Sequence, residues 1–255
     1  MTHIALGLLS AVLIWWLGTA TVLFLDTLPR RTHAITIVGA TLLALVAVTC
    51  VIATRDHTTA GAAHLAFASV IVIWGWLELS YYLGFVTGVH ARPCPPHCPA
   101  ARRFALAIGA SLFHELAVVC VSMLVIVMTW NAPNPVAGWC ILALWLMRWS
   151  TKLNLFLGMP HFQVSWLPEH LRFLGSYVRQ RACNPLLPFS VLVPAAIAVS
   201  LLVHASGPEL APFERSGRAL VGALLLLGVL EHGFLAFSGA ERALWGWVAR
   251  GDRST

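Results

Sequence analysis

Charge is scarce in this chain of 255 residues. Asp, Glu, Lys and Arg together make up 10% of it against 59% hydrophobic residues, and the mean hydropathy is +0.81. A soluble domain carries about a quarter charged residues, so a soluble fold is excluded and an integral membrane protein remains. Nothing is left over for a soluble domain, and a nucleic-acid surface would need a soluble basic face that the chain does not have. Internal repeats, low-complexity segments and sustained heptads are lacking too. The first apolar run has no basic leader region and no small-residue cleavage site before it ends at "LDTLPRR". An uncleaved first span is therefore expected rather than a signal peptide. Six cysteines make no disulfide framework. Cys50, Cys120 and Cys140 fall in or at the ends of apolar runs, while Cys94, Cys98 and Cys183 fall in loops on the side expected to be reducing.

What is present is a succession of long apolar runs. Bounded by charge or proline, they predict spans at 4–25, 34–54, 62–86, 104–130, 136–157, 187–205 and 218–237. The expected fold is an all-α polytopic bundle of about seven transmembrane helices in a single membrane domain, 1–255. Arg30, Arg31, Arg92, Arg102, Arg103, Arg172, Arg179, Arg181, Arg242, Arg250 and Arg253 fall on one side of that arrangement, with Lys152 close to it. Arg55, Arg215 and Arg218 fall on the other. The excess of basic residues marks the cytoplasmic face, which puts the N-terminus outside and the C-terminus in the cytoplasm. The net charge of +6 then reads as topology and attraction to anionic lipid.

Ionisable residues inside apolar spans must be matched or solvated, so they carry most of the information. Glu78 of "GWLELSYYLG", His114 and Glu115 of "LFHELAVV", Arg148, Lys152 and Asn154 of "MRWSTKLNLFLG", and Glu231 and His232 of "LEHGFLAF" all fall in the cytoplasmic halves of their spans. They share one depth and are expected to meet in one cytoplasm-facing cavity. Three readings are open. Glu78, His114, Glu115, Glu231 and His232 have the ligand chemistry for iron, manganese or zinc, although neither a Glu-x-x-His pair nor a zincin spacing is present. Structural ion pairs of Glu78, Glu115 or Glu231 with Arg148 and Lys152 would instead fix helix packing. A tetrapyrrole pocket would take a lone His and a lining drawn from the eleven tryptophans; interfacial anchoring accounts equally well for Trp15, Trp16, Trp166, Trp245 and Trp247.

The connection 158–187, around "WLPEHLRFLGSYVRQR", has the pattern of an amphipathic helix on the cytoplasmic membrane surface. A plain interfacial helix with snorkelling arginines is one reading; the other is a cap over the cavity that brings His170 over it, with Glu169 as a second loop contributor. "ERALWGWVARGDRST" has the pattern of a shorter anchor of the same kind. In "RPCPPHCPA", Cys94, His97 and Cys98 read either as a partial zinc set or as a proline-stiffened loop.

The succession "WWLGTATVLFLDTLPRRT", "WGWLELSYYLGFVTG", "PCPPHCP", "FHELAVV", "LMRWSTKLNLFLG", "LPEHLRFLGSY" and "LEHGFLAF" resembles the photosynthetic complex assembly protein 2 family, also called PuhE, over nearly the whole chain. The resemblance implies a multi-pass inner-membrane protein of purple bacteria that serves reaction-centre and light-harvesting assembly and bacteriochlorophyll supply. Its implied partners are the lipid bilayer, subunits of those complexes or pigment-synthesis proteins. The ligand expected is bacteriochlorophyll, a precursor of it, or a non-haem metal ion. The alternative is a membrane metalloenzyme acting on a tetrapyrrole or isoprenoid pigment intermediate.

Overall fold

A computed structural model describes residues 1–162, 164, 167–237 and 244–247. Every regular element among the described residues is helical. In chain order these are α1 (Thr2–Asp26), α2 (His33–Thr54), α3 (Ala60–Tyr82), α4 (Ala100–Gly109), α5 (Leu112–Thr129), α6 (Val136–Leu157), α7 (Leu187–Ala205) and α8 (Pro212–Ala236), with 3₁₀ segments at Arg30–Thr32 and Glu169–Tyr177. Six segments are long and apolar enough to cross a membrane, namely α1, Arg30–Thr54, α3, α5, α7 and α8. The helix α6 matches the run expected at 136–157 but is not one of the six. It carries Arg148 and Lys152 in its second half.

Two expectations need correction. The run 104–130 is not one helix: α4 ends at Gly109 and α5 begins at Leu112. At the break the Gly109 carbonyl accepts the N–H groups of Val89 and His90, 2.9 and 3.2 Å away, and the His114 N–H donates to the Thr87 carbonyl at 3.0 Å. The 87–90 segment thus takes backbone groups that an unbroken helix would have paired internally. Among the described residues of 158–187 the longest regular element is the nine-residue 3₁₀ segment Glu169–Tyr177 in place of an amphipathic α-helix. Trp166, Arg242, Arg250 and Arg253 lie outside the described residues, as does most of the expected C-terminal anchor.

Packing sorts the helices into an inner set and an outer set. The chain α1–α3–α6–α8 closes on itself, each helix packing on the next and α8 returning to α1. Outside this ring α2 lies on α3, α5 on α6 and α7 on α8. Burial follows the arrangement: half of the apolar window of α3 and 56% of that of α8 are buried, against 17% for α1, α2 and α7. Leu42, Leu43, Leu192 and Val193 accordingly point outward, as lipid-facing side chains do. The core is formed by Phe67, Val70 and Ile73 of α3, Ile141 of α6 and Leu220 of α8. The α1–α8 seam is close because Gly7 has no side chain; a Cβ there would stand 2.8 Å from that of Ala219.

At the end of the ring where α1, α3, α6 and α8 finish, α4 and the 169–177 segment form a cover. One side chain joins its parts. Arg103 is buried and donates through Nη1 to the Tyr177 carbonyl and through Nη2 to the Phe156 carbonyl, both at 2.9 Å, with its guanidinium 4.0 Å from the centre of the Phe156 ring. Phe104 meets the same ring edge-on at 5.1 Å. The planar fork suits two carbonyls at once in a way that an ammonium cannot reproduce. Replacing Arg103 by Ala removes two charge-assisted bonds and strands two carbonyls, an effect of about 2–3 kcal/mol. Arg103→Ala is expected to expose 158–187 to limited proteolysis in detergent while the helical circular dichroism stays unchanged, and Arg103→Lys to recover only part of the protection.

Candidate functional site

Under that cover the ring encloses a cavity of about 530 Å³. Its walls begin at Ile71 on α3 and Leu224 on α8 and run to the covered end. Trp15, Trp74, Tyr81, Tyr82, Trp149 and Phe156 make it aromatic, and Phe104, Phe162, Leu174 and Tyr177 close it from the cover. The charged groups on its wall are Glu78, Glu115, Arg148, Lys152 and Glu231.

Four of these form one alternating chain. Arg148 and Lys152 stand one turn apart on α6 and so share a face. Glu78 approaches from α3 and pairs with Arg148 Nη1 through Oε1. Glu115 approaches from the first turn of α5, where the helix dipole favours a carboxylate. Its Oε1 takes Lys152 Nζ and lies 3.5 Å from Arg148 Nη2. Lys152 also donates to the Ser111 hydroxyl at 3.1 Å. Two acids and two bases from three helices thus neutralise one another on one wall.

The other predicted residues are distributed differently. Glu231 faces the same cavity from α8, as Trp15 does from α1, and no cation pairs with it among the described residues. The residue beside Glu115, His114, is not part of the cavity wall; it is fully buried, with its ring 4.5 Å from that of Tyr81. His232 is buried between α8 and α6. Its Nδ1 lies 2.8 Å from the Gly228 carbonyl and therefore carries the proton, which leaves Nε2 to accept from the Ser150 hydroxyl at 2.9 Å. Asn154 donates to the Ser150 carbonyl at 2.9 Å and to the Ser190 hydroxyl at 2.8 Å, tying α6 to α7. Glu169 forms an exposed ion pair with Arg30 at 3.4 Å. His170 lies over Gly84, whose φ of +83° and whose Cβ position 3.2 Å from the imidazole both call for glycine. Partial burial there lowers the His170 pKa, with a hydrogen bond to the Tyr81 backbone opposing the shift. Neither loop residue is part of the cavity wall.

The structure places the candidate metal ligands at several separate contacts. Glu78 and Glu115 are paired with Arg148 and Lys152, His232 with Ser150 and Gly228, and His114 packs its ring on Tyr81 with neither ring nitrogen hydrogen-bonded. Among the described residues no three His, Cys, Asp or Glu side chains are grouped to hold an ion. Trp15, for which the sequence leaves both pocket lining and interfacial anchoring open, is a cavity residue with Trp245 edge-on against it at 5.6 Å.

Sequence reasoning missed three contributors. Arg103 was counted only as a topology charge. Ser111 sits inside a continuous apolar run, and nothing marked it as a partner for Lys152. Asn184 was not singled out, yet its Oδ1 accepts from the N–H groups of Leu186 and Leu187 at 2.9 and 3.2 Å, and its Nδ2 donates to the Gly158 carbonyl at 3.0 Å. An Asn just before a proline and an apolar run is a helix-start signal that could have found it.

The profile of the family described as "Protein of unknown function (DUF3623)" matches residues 1–255. The chain belongs to that family. It is 30% identical, over 244 residues, to a protein of Rhodobacter capsulatus described as "Uncharacterized 30.4 kDa protein in puhA 5'region", a match covering 94% of this chain and 89% of that one. No solved structure matches.

Stranding one charge of the alternating chain should be far worse than removing a pair. Glu115→Gln or Lys152→Met alone is expected to lower stability by about 3–5 kcal/mol. The double variant leaves Glu78 and Arg148 paired, so it should recover a large part of that loss. Thermal denaturation of the purified variants followed by size-exclusion checks this; losses that simply add would refute the coupling.

Proposed function

We propose that this chain is an integral membrane factor for the assembly of bacterial photosynthetic complexes and that its cavity handles bacteriochlorophyll or a precursor. The cavity carries the reading. Its size lies within the usual range for small-molecule sites, about 300–1,000 Å³. It also pairs aromatic walls with a single charged strip, which suits a large flat apolar ligand with a polar edge. Trp15, Trp74 and Trp149 offer faces and edges for stacking, and Glu231 offers an acceptor for a ligand N–H or O–H. The Rhodobacter relative supports the reading by its place next to puhA, a photosynthesis gene region, and the resemblance to PuhE points the same way. Reaction-centre or light-harvesting subunits, or pigment-synthesis proteins, are the partners on this view.

The topology belongs to the same proposal. With α6 as a seventh span, the N-terminus lies outside, the C-terminus is cytoplasmic, and the covered end of the cavity faces the cytoplasm of an inner or photosynthetic membrane. Support comes from the arginines: Arg30, Arg31, Arg92, Arg102, Arg172, Arg179 and Arg181 sit in or beside the segments at that end. The charges of α6 are compatible with a bilayer because its neighbours α3 and α5 supply the matching acids.

Absorption spectroscopy on protein purified in mild detergent from a phototrophically grown host is the direct test, and a pigment band at stoichiometric level is the expected result. In cells, Glu231→Ala should lower the yield of photosynthetic complexes several-fold while membrane insertion stays intact, and His114→Ala, which removes the ring packed on Tyr81, should do the same. Pigment-free protein together with normal complex yields in both variants would overturn the proposal.

A further inference from the structure

The motif "RPCPPHCPA" takes no part in the cavity wall, yet it is built into the cover. Its chain reverses at Pro96–His97, where His97 has a φ of +56°, a left-handed conformation that non-glycine residues adopt only a few per cent of the time. Cys94 and Cys98 stand on its two sides, four residues apart. Both are free cysteines and half-buried, while Arg92, Pro93, Pro95, Pro96 and His97 around them are exposed. Burial, with the neighbouring Cys98 thiol, holds the Cys94 thiol above its usual pKa.

The same short segment holds the cover. The Cys94 N–H donates to the Ser176 hydroxyl at 2.8 Å, and the Tyr177 hydroxyl donates to the Arg92 carbonyl at 2.7 Å. Tyr177 lines the cavity, and its carbonyl is one of the two that Arg103 grips. A change in the geometry of 92–98 therefore acts on the side chain that closes the cavity.

We propose that Cys94 and Cys98 are a reversible dithiol–disulfide couple, and that its oxidation state sets how firmly the 169–177 segment is held over the cavity. The oxidant is a low-molecular-weight disulfide of the glutathione class. The thiolate of one cysteine attacks a sulfur of that disulfide, forming a mixed disulfide and releasing one small thiolate. The thiolate of the second cysteine then attacks the protein sulfur of the mixed disulfide, closing the Cys94–Cys98 bond and releasing a second small thiolate. Two electrons pass from the cysteines to the oxidant, and the two cysteine protons end on the released thiols. Closing the ring pulls on residues whose backbone bonds Ser176 and Tyr177, loosening the cover. A small thiol reverses the sequence. In a reducing compartment, disulfides are ordinarily transient and redox-sensing.

The test uses the full chain in detergent, equilibrated with glutathione disulfide or with reduced glutathione, then alkylated, digested and analysed by mass spectrometry. Hydrogen–deuterium exchange of residues 169–178 is measured on the same samples. The expected result is a Cys94–Cys98 cross-linked peptide in the oxidised sample and several-fold faster exchange in 169–178. Both effects should reverse on reduction and be absent from a Cys94→Ser/Cys98→Ser variant. Separate glutathione adducts on the two cysteines without a cross-link would overturn the proposal. So would protection of both thiols by a bound zinc ion, or a cross-link that leaves exchange in 169–178 the same as in the double variant. None of these readouts depends on a pigment being bound.

Discussion

The alternating chain Glu78–Arg148–Glu115–Lys152 is the interaction on which the rest of the structure rests. It brings α3, α5 and α6 to one point, and does so with groups that an apolar interior tolerates only in matched company. Arg148 stands between two carboxylates, and Lys152 is the only lysine of the chain. A helix with two cations in its second half has no place facing lipid. The inward position of α6 between α3 and α8, with α5 on its outer side, follows from that requirement. The polar wall of the cavity is the same set of charges seen from inside.

The ring supplies the complementary constraint. Because α1, α3, α6 and α8 meet all the way round, the cavity is walled by helices on its sides and finished by α4 and the 169–177 segment at one end. The two boundaries differ in chemistry. Small residues and branched aliphatics make the lateral seams, as at the Gly7–Ala219 approach. Hydrogen bonds from a few side chains make the cover, and they depend on Arg103, Ser176 and Tyr177. Seams of the first kind open only by separating helices, whereas a cover of the second kind yields to local change.

Much of this was legible beforehand. Apolar runs fall on the long helices, since the bilayer sets their length and composition, although α8 begins at Pro212, ahead of its run at 218, and the run 104–130 covers two helices. The shared depth of Glu78, Glu115, Arg148 and Lys152 followed from the alternation of the runs. What one dimension could not show is direction around each helix. His114 and Glu115 are neighbours in sequence, but successive residues on a helix point about 100° apart. Glu115 therefore turns to Lys152 while His114 turns to Tyr81. Glu231 and His232 divide in the same way between the cavity and Ser150. The α4–α5 break was hidden for another reason: hydropathy does not change across Gly109–Ser111, and the backbone groups that end the helix are claimed by a segment about twenty residues earlier in the chain. Arg103 was indistinguishable from its neighbours as a charge and became distinct only once two carbonyls stood in front of it.

The order of the charged partners along the chain has a consequence for biosynthesis. Glu78 and Glu115 both precede Arg148 and Lys152, and a nascent chain emerges from its N-terminus. On the seven-span reading, the carboxylates of α3 and α5 are therefore already waiting in the translocon's vicinity when the least apolar helix arrives. Its two cations can be met on arrival rather than held unpaired until later helices are made. The late helices α7 and α8 carry no cation that the early ones must balance within the cavity, so the electrostatic core is complete before the C-terminal third of the protein has left the ribosome.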